Sequence, residues 1–474
     1  MNVVFMHYHF RSGGVTSVIL RHIRCLKGII NPFLIVGEIP EVQVDIPYKV
    51  IPSLAYDRDR TDRLGPEEVA DKILKAVKKH FGSKTDLYHI HNPTLGKNKN
   101  YIEVINRIIE DGNKVLLHIH DFAEDGRADN YQPQPYPSNV HYAVLNERDY
   151  RILKKSGLTS KGLHLIPNPV ELPDKYDIDY PLESNNLILY PVRAIRRKNI
   201  GEAVLLSLFI KAGDFIGITL EPTSRIDLVN YKKWIGFSKE RGLPVKFGIG
   251  INNDFMNLVK ASKVMITTSI KEGFGMSFLE PWIFKRMLLG RILTDICQDF
   301  LSKGIDLSYM YGSLVIPTEL LEIERIKKRV AECYLKNLKS FGVVVEKGQI
   351  EVDTEALFSG QVLDFGVLDE ENQRQVISKL LVDNRLKNAI ISINKKLGIF
   401  SVLNSSDFRN IIEKNRAIVE EEYSLKKIRG LLVNVYNSVL EDEVKHSIDK
   451  KILIEEFNSL ERMSLLLCNK TYDQ

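Results

Sequence analysis

The chain has 474 residues, enough for two to four domains at the usual size of roughly 100–200 residues each. Hydrophobic residues make up 44% and charged residues 27%, which is ordinary globular usage and excludes a disordered or fibrous chain. The mean hydropathy is −0.14, the net charge is +5, and no apolar run reaches the roughly 18 residues that span a bilayer. Composition therefore points neither to an integral membrane protein nor to a nucleic-acid binder.

The cysteines and the first residues indicate the compartment. Cys25, Cys297, Cys333 and Cys468 are far apart and form no Cys-x-x-Cys pair, which speaks against a disulfide framework and against a zinc site. The chain opens on a strand-like run without the basic and apolar regions of a secretion signal. We expect a cytoplasmic protein whose slight basic excess permits peripheral contact with the inner face of a membrane.

The first 180 residues alternate short β-branched or aromatic runs with amphipathic stretches, the pattern of βαβ units in a parallel sheet. Strands are predicted near residues 3–9, 32–37, 87–91, 115–120, 142–145 and 163–166. The clearest helices are predicted at residues 15–26, 67–81 and 101–110. Pro167-Asn168-Pro169 breaks the pattern, and we place a linker in the Pro-, Asp- and Asn-rich residues 171–186.

A second α/β alternation begins at Leu187. Strands are predicted near residues 187–192, 215–220, 245–247 and 264–268, and helices near residues 200–211, 225–241 and 254–261. The predicted fold class is therefore α/β, with Rossmann-like domains at residues 1–180 and 187–400 that face each other across a cleft. Ligands of such sheets bind at the carboxyl ends of the strands.

The loop after the first strand, Ser12-Gly13-Gly14-Val15, opens the first helix. Paired glycines there let backbone N–H groups approach a phosphate or a sugar at the positive end of the helix. A tight strand-to-helix turn accounts for the same residues equally well. The loop lacks a Gly-x-Gly-x-x-Gly fingerprint and so gives no support to a nicotinamide or flavin enzyme.

Histidines end two of the predicted strands. His89 and His91 close one, His118 and His120 close the next, and Asp121 follows directly. A histidine at this position can hold or polarise a hydroxyl group. His-x-His on a strand is equally a solvent-edge pattern, and no cysteine accompanies these residues, so a metal site is not expected.

Four cations, Arg193, Arg196, Arg197 and Lys198, follow the first strand of the second domain with no acid among them. The run suggests a phosphate site, although a solvated basic loop has the same composition. Arg193 and Lys198 would stabilise the negative charge that develops as a nucleotide leaves.

Glu272 and Glu280 bracket a Gly-Phe-Gly segment that lies between a predicted strand and an apolar helix. Pairs of glutamates at this spacing are frequent by chance, so the context carries the argument. The glycines can present backbone N–H groups to a phosphate, and the helix start adds its positive end. Ser277 and Glu280 also fit a capping box of that helix.

Taken in chain order, these features resemble the retaining nucleotide-sugar glycosyltransferases of family 4, which have the GT-B fold of two Rossmann-like domains. The resemblance covers roughly residues 1–290 and rests on the order of its landmarks. The landmarks are Gly13-Gly14, His120-Asp121, Ile166-Pro167-Asn168-Pro169-Val170, Arg193 with Lys198, and Glu272-Gly273-Phe274-Gly275 with Glu280.

The resemblance implies roles for these residues. Arg193 and Lys198 would bind the donor diphosphate, Glu272 the sugar hydroxyls and Glu280 the ribose, while His120 would lie beside the reacting sugar. The catalytic candidates are Glu272, His120, Arg193 and Lys198. The donor-binding candidates are Gly13, Gly14, Arg193, Lys198, Glu272, Gly273, Phe274, Gly275, Met276 and Glu280. The acceptor-binding candidates are His118, Asp121 and Asn168.

The sequence departs from the family after Glu280, where bulky residues from Pro281 to Arg291 replace a small-residue helix and put the base-binding side of the donor pocket in question. Residues 294–361 lack a counterpart and are predicted to be an insertion that shapes specificity. Residues 401–474 are predicted to be helices that pack back on the cleft, and residues 404–436 resemble, more loosely than residues 1–290, the closing helices of the family. Asp57-Arg58-Asp59 and Asp177-Ile178-Asp179 are not expected to bind metal.

The predicted function is a retaining hexosyltransferase that moves a sugar from a nucleoside diphosphate donor to a lipid-linked or soluble acceptor hydroxyl. No cofactor, obligatory metal or nucleic-acid partner is expected. A sugar phosphorylase or nucleotide-sugar epimerase of the same fold is the first alternative. The second is a sugar- or nucleotide-binding protein without catalytic turnover.

Overall fold

The computed structural model describes residues 1–171, 178–181, 185–402 and 408–468. The chain divides into two compact units. Unit 1 comprises residues 1–171 and 421–458, and unit 2 comprises residues 172–420 and 459–474. Four ranges of the predicted segments lie outside the described residues. They are residues 172–177 and 182–184 of the predicted linker, which include Asp177, and residues 403–407 and 469–474 of the predicted C-terminal helices.

The strands and helices alternate along most of the chain. The strands are β1 (Asn2–His7), β2 (Asn31–Val36), β3 (Tyr48–Val50), β4 (Leu87–His91), β5 (Val115–His118), β6 (His141–Val144), β7 (Leu163–Leu165), β8 (Leu187–Arg193), β9 (Phe215–Leu220), β10 (Val245–Phe247), β11 (Ser262–Thr267), β12 (Leu288–Gly290), β13 (Val315–Pro317) and β14 (Val362–Asp364). The helices are α1 (Gly14–Cys25), α2 (Pro66–Phe81), α3 (Tyr101–Glu110), α4 (Glu147–Lys155), α5 (Ile200–Leu206), α6 (Arg225–Glu240), α7 (Phe255–Ala261), α8 (Glu280–Ile283), α9 (Thr294–Ser302), α10 (Ile323–Ser340), α11 (Lys347–Leu357), α12 (Glu370–Val382), α13 (Asn384–Ile393), α14 (Arg409–Glu422), α15 (Leu425–Glu441) and α16 (Lys450–Phe457).

Unit 1 contains a seven-stranded parallel sheet in the order β3-β2-β1-β4-β5-β6-β7. The central strands are buried along nearly their whole length, as expected of a parallel sheet covered on both faces. One apolar cluster joins side chains of α1 and α15 to one face of the sheet. A second cluster joins α2, α3 and α16 to the other face. The C-terminal helices α15 and α16 therefore belong to the core of unit 1.

Local sequence accounts for most of these elements. In α2, Pro66 occupies the first turn, Val69, Ile73 and Val77 recur at helical spacing and are buried, and Gly82 ends the helix with a φ of 75°. β3 was not predicted, because this short edge strand carries largely exposed residues and shows no apolar run. Among the described residues, no helix is both long and apolar enough to cross a lipid bilayer.

Unit 2 contains a five-stranded parallel sheet in the order β10-β9-β8-β11-β12 and a separate antiparallel pair, β13 and β14. Pro317 at the end of β13 pairs with Val362 at the start of β14. The helices α10 and α11 lie in the sequence between these two paired residues and pack on each other. They fall within the region predicted to be an insertion.

The bulky residues after Glu280 lie in the interior of unit 2. α8 is a single turn of four residues. Trp282 is completely buried, and its indole N–H donates to the Phe278 carbonyl at 2.7 Å. The guanidinium of Arg286 donates to the carbonyls of Val259 and Asp179 at 3.0 and 2.7 Å. Most of the apolar bulk therefore serves core packing, and its effect on the base-binding side of the donor pocket stays a prediction.

Cysteine pairing also differs from the prediction. Cys333 in α10 and Cys468 are joined by a disulfide, with their Cα atoms 6.0 Å apart. They are 135 residues apart in the sequence, and such a separation does not limit their distance in space. Cys25 and Cys297 are free and buried.

Candidate active site

The basic loop after β8 is fixed to the segment that follows β11. Arg196–Lys198 form one turn of 3₁₀ helix, and Asn199 then adopts a left-handed conformation with φ 49°. The Lys198 carbonyl accepts hydrogen bonds from the Tyr190 and Thr268 hydroxyls at 2.6 and 3.0 Å. These bonds bring two carboxyl-terminal strand ends together, where a parallel α/β sheet binds its ligand.

Glu272 lies between two cations of this loop. Its carboxylate accepts a hydrogen bond from the Lys198 ammonium and one from the Arg197 guanidinium, the latter at 2.5 Å. Burial alone would raise the pKa of Glu272, whose side chain is 8% exposed, but Lys198 and then Arg197 lower the pKa to about 2. The carboxylate is thus ionised, and two cations with one anion leave a net charge of +1 for a phosphate.

The structure separates the other predicted cations from Glu272. Arg193 is exposed, and its guanidinium donates to the Glu221 carbonyl at 3.0 Å. Arg196 pairs with Asp227 at 3.2 Å. Arg197, which the sequence reasoning did not select, takes a position on Glu272. Its place in the basic run marked Arg197 as a possible ligand contact. The sequence could not indicate which cation of the run reaches the carboxylate.

The Gly273–Met276 segment requires glycine at one position. Gly275 has a φ of 91°, and a Cβ there would come within 2.9 Å of the Phe278 ring. Phe274 is buried and packs edge-on against Phe300, so its side chain belongs to the core of unit 2. Glu280 begins α8 with Leu279 as its N-cap, and no described side chain caps the helix, so the Ser277–Glu280 capping box does not form.

A buried charge network that sequence reasoning missed supports the end of the basic loop. Arg291, the residue after β12, donates to Glu202 of α5 at 2.6 Å and to Asp364 of β14 at 2.7 Å. Glu202 also accepts from the side chain of Asn199 at 2.7 Å. The side chains of Arg291 and Glu202 are 4% and 0% exposed. The network therefore ties the loop to three elements of unit 2.

In unit 1, the Gly13-Gly14 loop leads into α1 without a strained backbone. Gly13 is the N-cap residue, and its φ of 172° is accessible to any amino acid. A Cβ at Gly13 or Gly14 would meet no described atom within 4 Å. A tight turn therefore does not account for the glycines, while open space at a helix N-terminus suits the approach of a ligand.

A group of cations lies around the Tyr56 ring in unit 1. Arg11, Arg58 and Lys97 approach its centroid to between 5.8 and 6.0 Å. Arg11 pairs with Asp59, the third residue of the first Asp-x-Asp sequence, at 2.8 Å. Within the part of the chain that the structure describes, the Lys97 ammonium forms no ion pair. Burial lowers the Lys97 pKa, and Arg58 and Arg127 lower it further, which indicates positive potential at this position.

The histidines of β4 and β5 are buried, so the solvent-edge alternative is wrong. His120 is 6% exposed and its Nε2 lies 2.9 Å from His91 Nδ1. Burial lowers the pKa of His120 to about 4, although Asp121 opposes this, and the ring is neutral near pH 7. His118 is completely buried, which does not fit the acceptor contact expected of it.

Two further acceptor candidates have different surroundings. Asp121 accepts a hydrogen bond from Arg127 at 2.5 Å, which places it beside the cations around Tyr56. Asn168 is 7% exposed, and its Oδ1 has no hydrogen-bond partner among the described residues. Both remain candidates for acceptor binding.

Comparison with known proteins adds one curated relative and several solved structures, while no protein-family model matches the chain. The mannosylglucosyl-3-phosphoglycerate synthase of Petrotoga mobilis is 28% identical over an alignment of 483 positions, gaps included, that covers 92% of this chain and 91% of that protein. A glycosyltransferase from Rickettsia africae is 13% identical with a TM-score of 0.53, over 93% of this chain and 99% of that one. Anabaena HepE, solved with UDP-glucose, is 11% identical with a TM-score of 0.52, over 92% and 100%.

These solved structures are too distant in sequence for their substrates to be assigned to this chain, so they show only its fold. The chain has the GT-B fold of glycosyltransferases, with two Rossmann-like units and a helical C-terminal region. The curated relative, which aligns along nearly the whole chain, supports glycosyl transfer as the kind of activity.

Proposed function

We propose that the protein is a retaining hexosyltransferase that moves a sugar from a nucleoside diphosphate donor to an acceptor hydroxyl. The observation that carries the proposal is the group formed by Lys198, Arg197 and Glu272 at the carboxyl ends of β8 and β11. A nucleotide sugar needs positive charge at its diphosphate and hydrogen-bond acceptors at its sugar hydroxyls, and this group supplies both.

The donor roles follow from the charges. Lys198 and Arg197 stabilise the diphosphate as it leaves, and the Gly273–Met276 amides and Arg193 add to its binding. Glu272 is ionised and accepts hydrogen bonds from sugar hydroxyls. Retention of configuration rests on the family resemblance alone, because no covalent nucleophile is identified among the described residues.

We further propose that the acceptor is anionic. The name of the Petrotoga mobilis relative describes a product that joins mannose, glucose and 3-phosphoglycerate. An acceptor of this class, a glucosyl-3-phosphoglycerate, carries a phosphate and a carboxylate. The cations around Tyr56, and above all Lys97, which forms no ion pair among the described residues, support binding of such an acceptor by unit 1.

The first experiment offers mannose and glucose donors, each as its UDP, GDP and ADP derivative, with glucosyl-3-phosphoglycerate and with its dephosphorylated form. Mass spectrometry of the products is expected to show transfer from one donor to the phosphorylated acceptor. Equal rates with both acceptors would contradict the anionic acceptor, and no transfer from any donor would contradict the proposed reaction. Proton NMR of the anomeric signal would reveal inversion if retention is wrong.

A lysine variant tests the acceptor site separately. Lys97→Gln is expected to raise the acceptor KM by about tenfold or more while leaving the donor KM unchanged, because one phosphate contact is lost. Lys84→Gln is the matched control, since Lys84 is exposed and pairs with Asp111 at 2.9 Å. If both variants behave alike, Lys97 has no special role in acceptor binding.

A further inference from the structure

The interior of unit 1 contains a cluster of four histidines that the proposed reaction does not use. His22 comes from α1, His89 and His91 from β4, and His118 from β5. All four side chains belong to residues that are 0% exposed. One ring nitrogen of each residue lies within 4.8 Å of those of the other three. The two strands and the covering helix thus direct four imidazoles to one point in the core.

Several of these nitrogens have no hydrogen-bond partner among the described residues. They are Nδ1 and Nε2 of His22, Nε2 of His91 and Nε2 of His118. A buried polar atom without a partner costs about 1–3 kcal/mol, so four in one cluster make a substantial penalty. The backbone carbonyl of Ile166 lies near His118 and raises its pKa, but more weakly than the neighbouring imidazoles lower it. This carbonyl does not form a hydrogen bond with His118 Nε2. The cluster therefore lacks a partner that several imidazole nitrogens can share.

The other ring nitrogens form an ordered chain of hydrogen bonds. His118 Nδ1 lies 3.1 Å from His89 Nε2, and His89 Nδ1 lies 2.8 Å from the Tyr436 hydroxyl of α15. His91 Nδ1 lies 2.9 Å from His120 Nε2. Histidines that bind a metal through Nε2 usually donate Nδ1–H to such a partner, which fixes the tautomer and the ring orientation. Here Nε2 of His91 and Nε2 of His118 are the nitrogens left open for a ligand role.

We propose that His22, His91 and His118 bind one divalent zinc-class ion inside unit 1, with His89 and Tyr436 as positioning residues that orient His118. A set made only of imidazoles suits zinc, copper, nickel or cobalt, whereas magnesium and calcium prefer oxygen ligands. Ligand atoms on a tetrahedral zinc lie roughly 3.3 Å apart, given bonds of about 2.0–2.1 Å. Small ring rotations close the cluster to this size.

The consequence for the molecule is structural. The site has no exposed residue, and its ligands come from the sheet and from the helix that begins at the Gly13-Gly14 loop. A bound ion holds α1 against β4 and β5 and thereby fixes the position of that loop. The ion binds the folded state, so it raises the stability of the protein. This inference is independent of the proposed transferase activity.

His22→Leu gives the sharpest test, because neither ring nitrogen of His22 has a hydrogen-bond partner among the described residues. Full-length protein without a histidine tag is analysed by plasma mass spectrometry after dialysis, and then titrated with Zn²⁺ and Co²⁺. We expect about one ion per wild-type chain and a loss of at least tenfold in affinity for the variant. Added Zn²⁺ is expected to raise the Tm of the wild type and not that of His22→Leu.

Two more variants distinguish a metal site from a network of neutral histidines. Tyr436→Phe is expected to keep the Co²⁺ absorption of a tetrahedral site but to bind about 10-fold more weakly. His164→Gln is the control, because His164 on β7 is not one of the four clustered histidines and its ring bonds to that of His141 at 2.9 Å. A wild type without bound metal that does not respond to Zn²⁺ or Co²⁺ would overturn the proposal. A higher Tm for His22→Leu than for the wild type in Zn²⁺ would overturn it as well.

Discussion

Glu272 is a buried carboxylate that its neighbours keep ionised. Two cations at hydrogen-bonding distance outweigh the desolvation of the carboxylate, so its pKa lies near 2 rather than 4.5. The same two cations form the proposed diphosphate site. Stability and the proposed donor binding therefore depend on the same side chains. For a Glu272 variant, both the free energy of unfolding and the donor affinity must be measured to separate the two effects.

Glu272→Gln tests the charge of this residue through pH. Because the folded pKa is lowered, the ion pair stabilises the protein above about pH 4.5, and that stability is lost as the pH falls towards 2. The variant is expected to be less stable than the wild type by about 3 kcal/mol at pH 7, with a difference that shrinks below pH 4.5. Urea unfolding from pH 7 to pH 3 measures this. Glu240→Gln, at an exposed position, should show no such trend.

Lys198→Ala tests the proposed stabilisation of the leaving group. Loss of a charge that contacts the diphosphate is expected to lower kcat/KM by roughly 10²–10³-fold. Arg196→Ala is the control in the same loop, because Arg196 pairs with Asp227 and not with Glu272. Steady-state kinetics with the identified donor compare the two. Equal losses would indicate that the loop as a whole, rather than Lys198, determines the rate.

At the scale of elements, the buried network of Arg291 explains how the short strands of unit 2 keep their positions. Arg291 joins β12 to α5 and β14 through Glu202 and Asp364. Each of these elements has few residues to pack against its neighbours. Arg291, with all its N–H donors hydrogen-bonded, therefore helps to hold these elements together, as apolar packing does in larger elements.

Arg291→Leu is expected to destabilise unit 2 by about 3–5 kcal/mol, because it leaves Glu202 buried without its cation. Chemical denaturation followed by tryptophan fluorescence measures the change, since Trp234 and Trp282 both lie in unit 2. Arg385→Leu is the control: Arg385 is 94% exposed and its pair with Asp383 spans 3.4 Å. Similar losses in both variants would remove the special role of the network.

At the scale of the whole molecule, the C-terminal region contributes to both units. Residues 421–458 complete unit 1, and residues 459–468 return to unit 2. There the Leu465 amide donates to the Val367 carbonyl at 2.8 Å, and the Arg196 guanidinium donates to the Cys468 carbonyl at 3.3 Å. The disulfide from Cys468 to Cys333 fixes the end of this segment.

Reduction of this disulfide is expected to lower the Tm by roughly 5–10 °C, because closing a loop of 135 residues contributes about 5 kcal/mol. Calorimetry with and without reductant measures the shift. Cys333→Ala should be insensitive to reductant, whereas Cys25→Ala should respond like the wild type, since Cys25 is a free thiol. A wild type that reductant does not affect would contradict a stabilising bond.

The sequence by itself determined the alternation of strands and helices and the motifs at the strand ends. Apolar periodicity and turn residues are local signals, so the strands Phe215–Leu220 and Val245–Phe247 and the helix Tyr101–Glu110 were predicted with the bounds they have. The placement of Lys198 and of Glu272 after the ends of two strands was also expected. Both residues follow parallel strands, and the carboxyl ends of such strands meet at one edge of a sheet.

Only the tertiary structure decided which distant residues meet. Arg197 rather than Arg193 reaches Glu272, His22 joins the histidines of β4 and β5, and Cys333 bonds to Cys468. Each of these contacts depends on how a helix or loop packs on a sheet, and that packing is set by apolar surfaces from many parts of the chain. Local sequence carries no record of such distances, so the charge balance of the donor group and the histidine cluster emerged only from the fold.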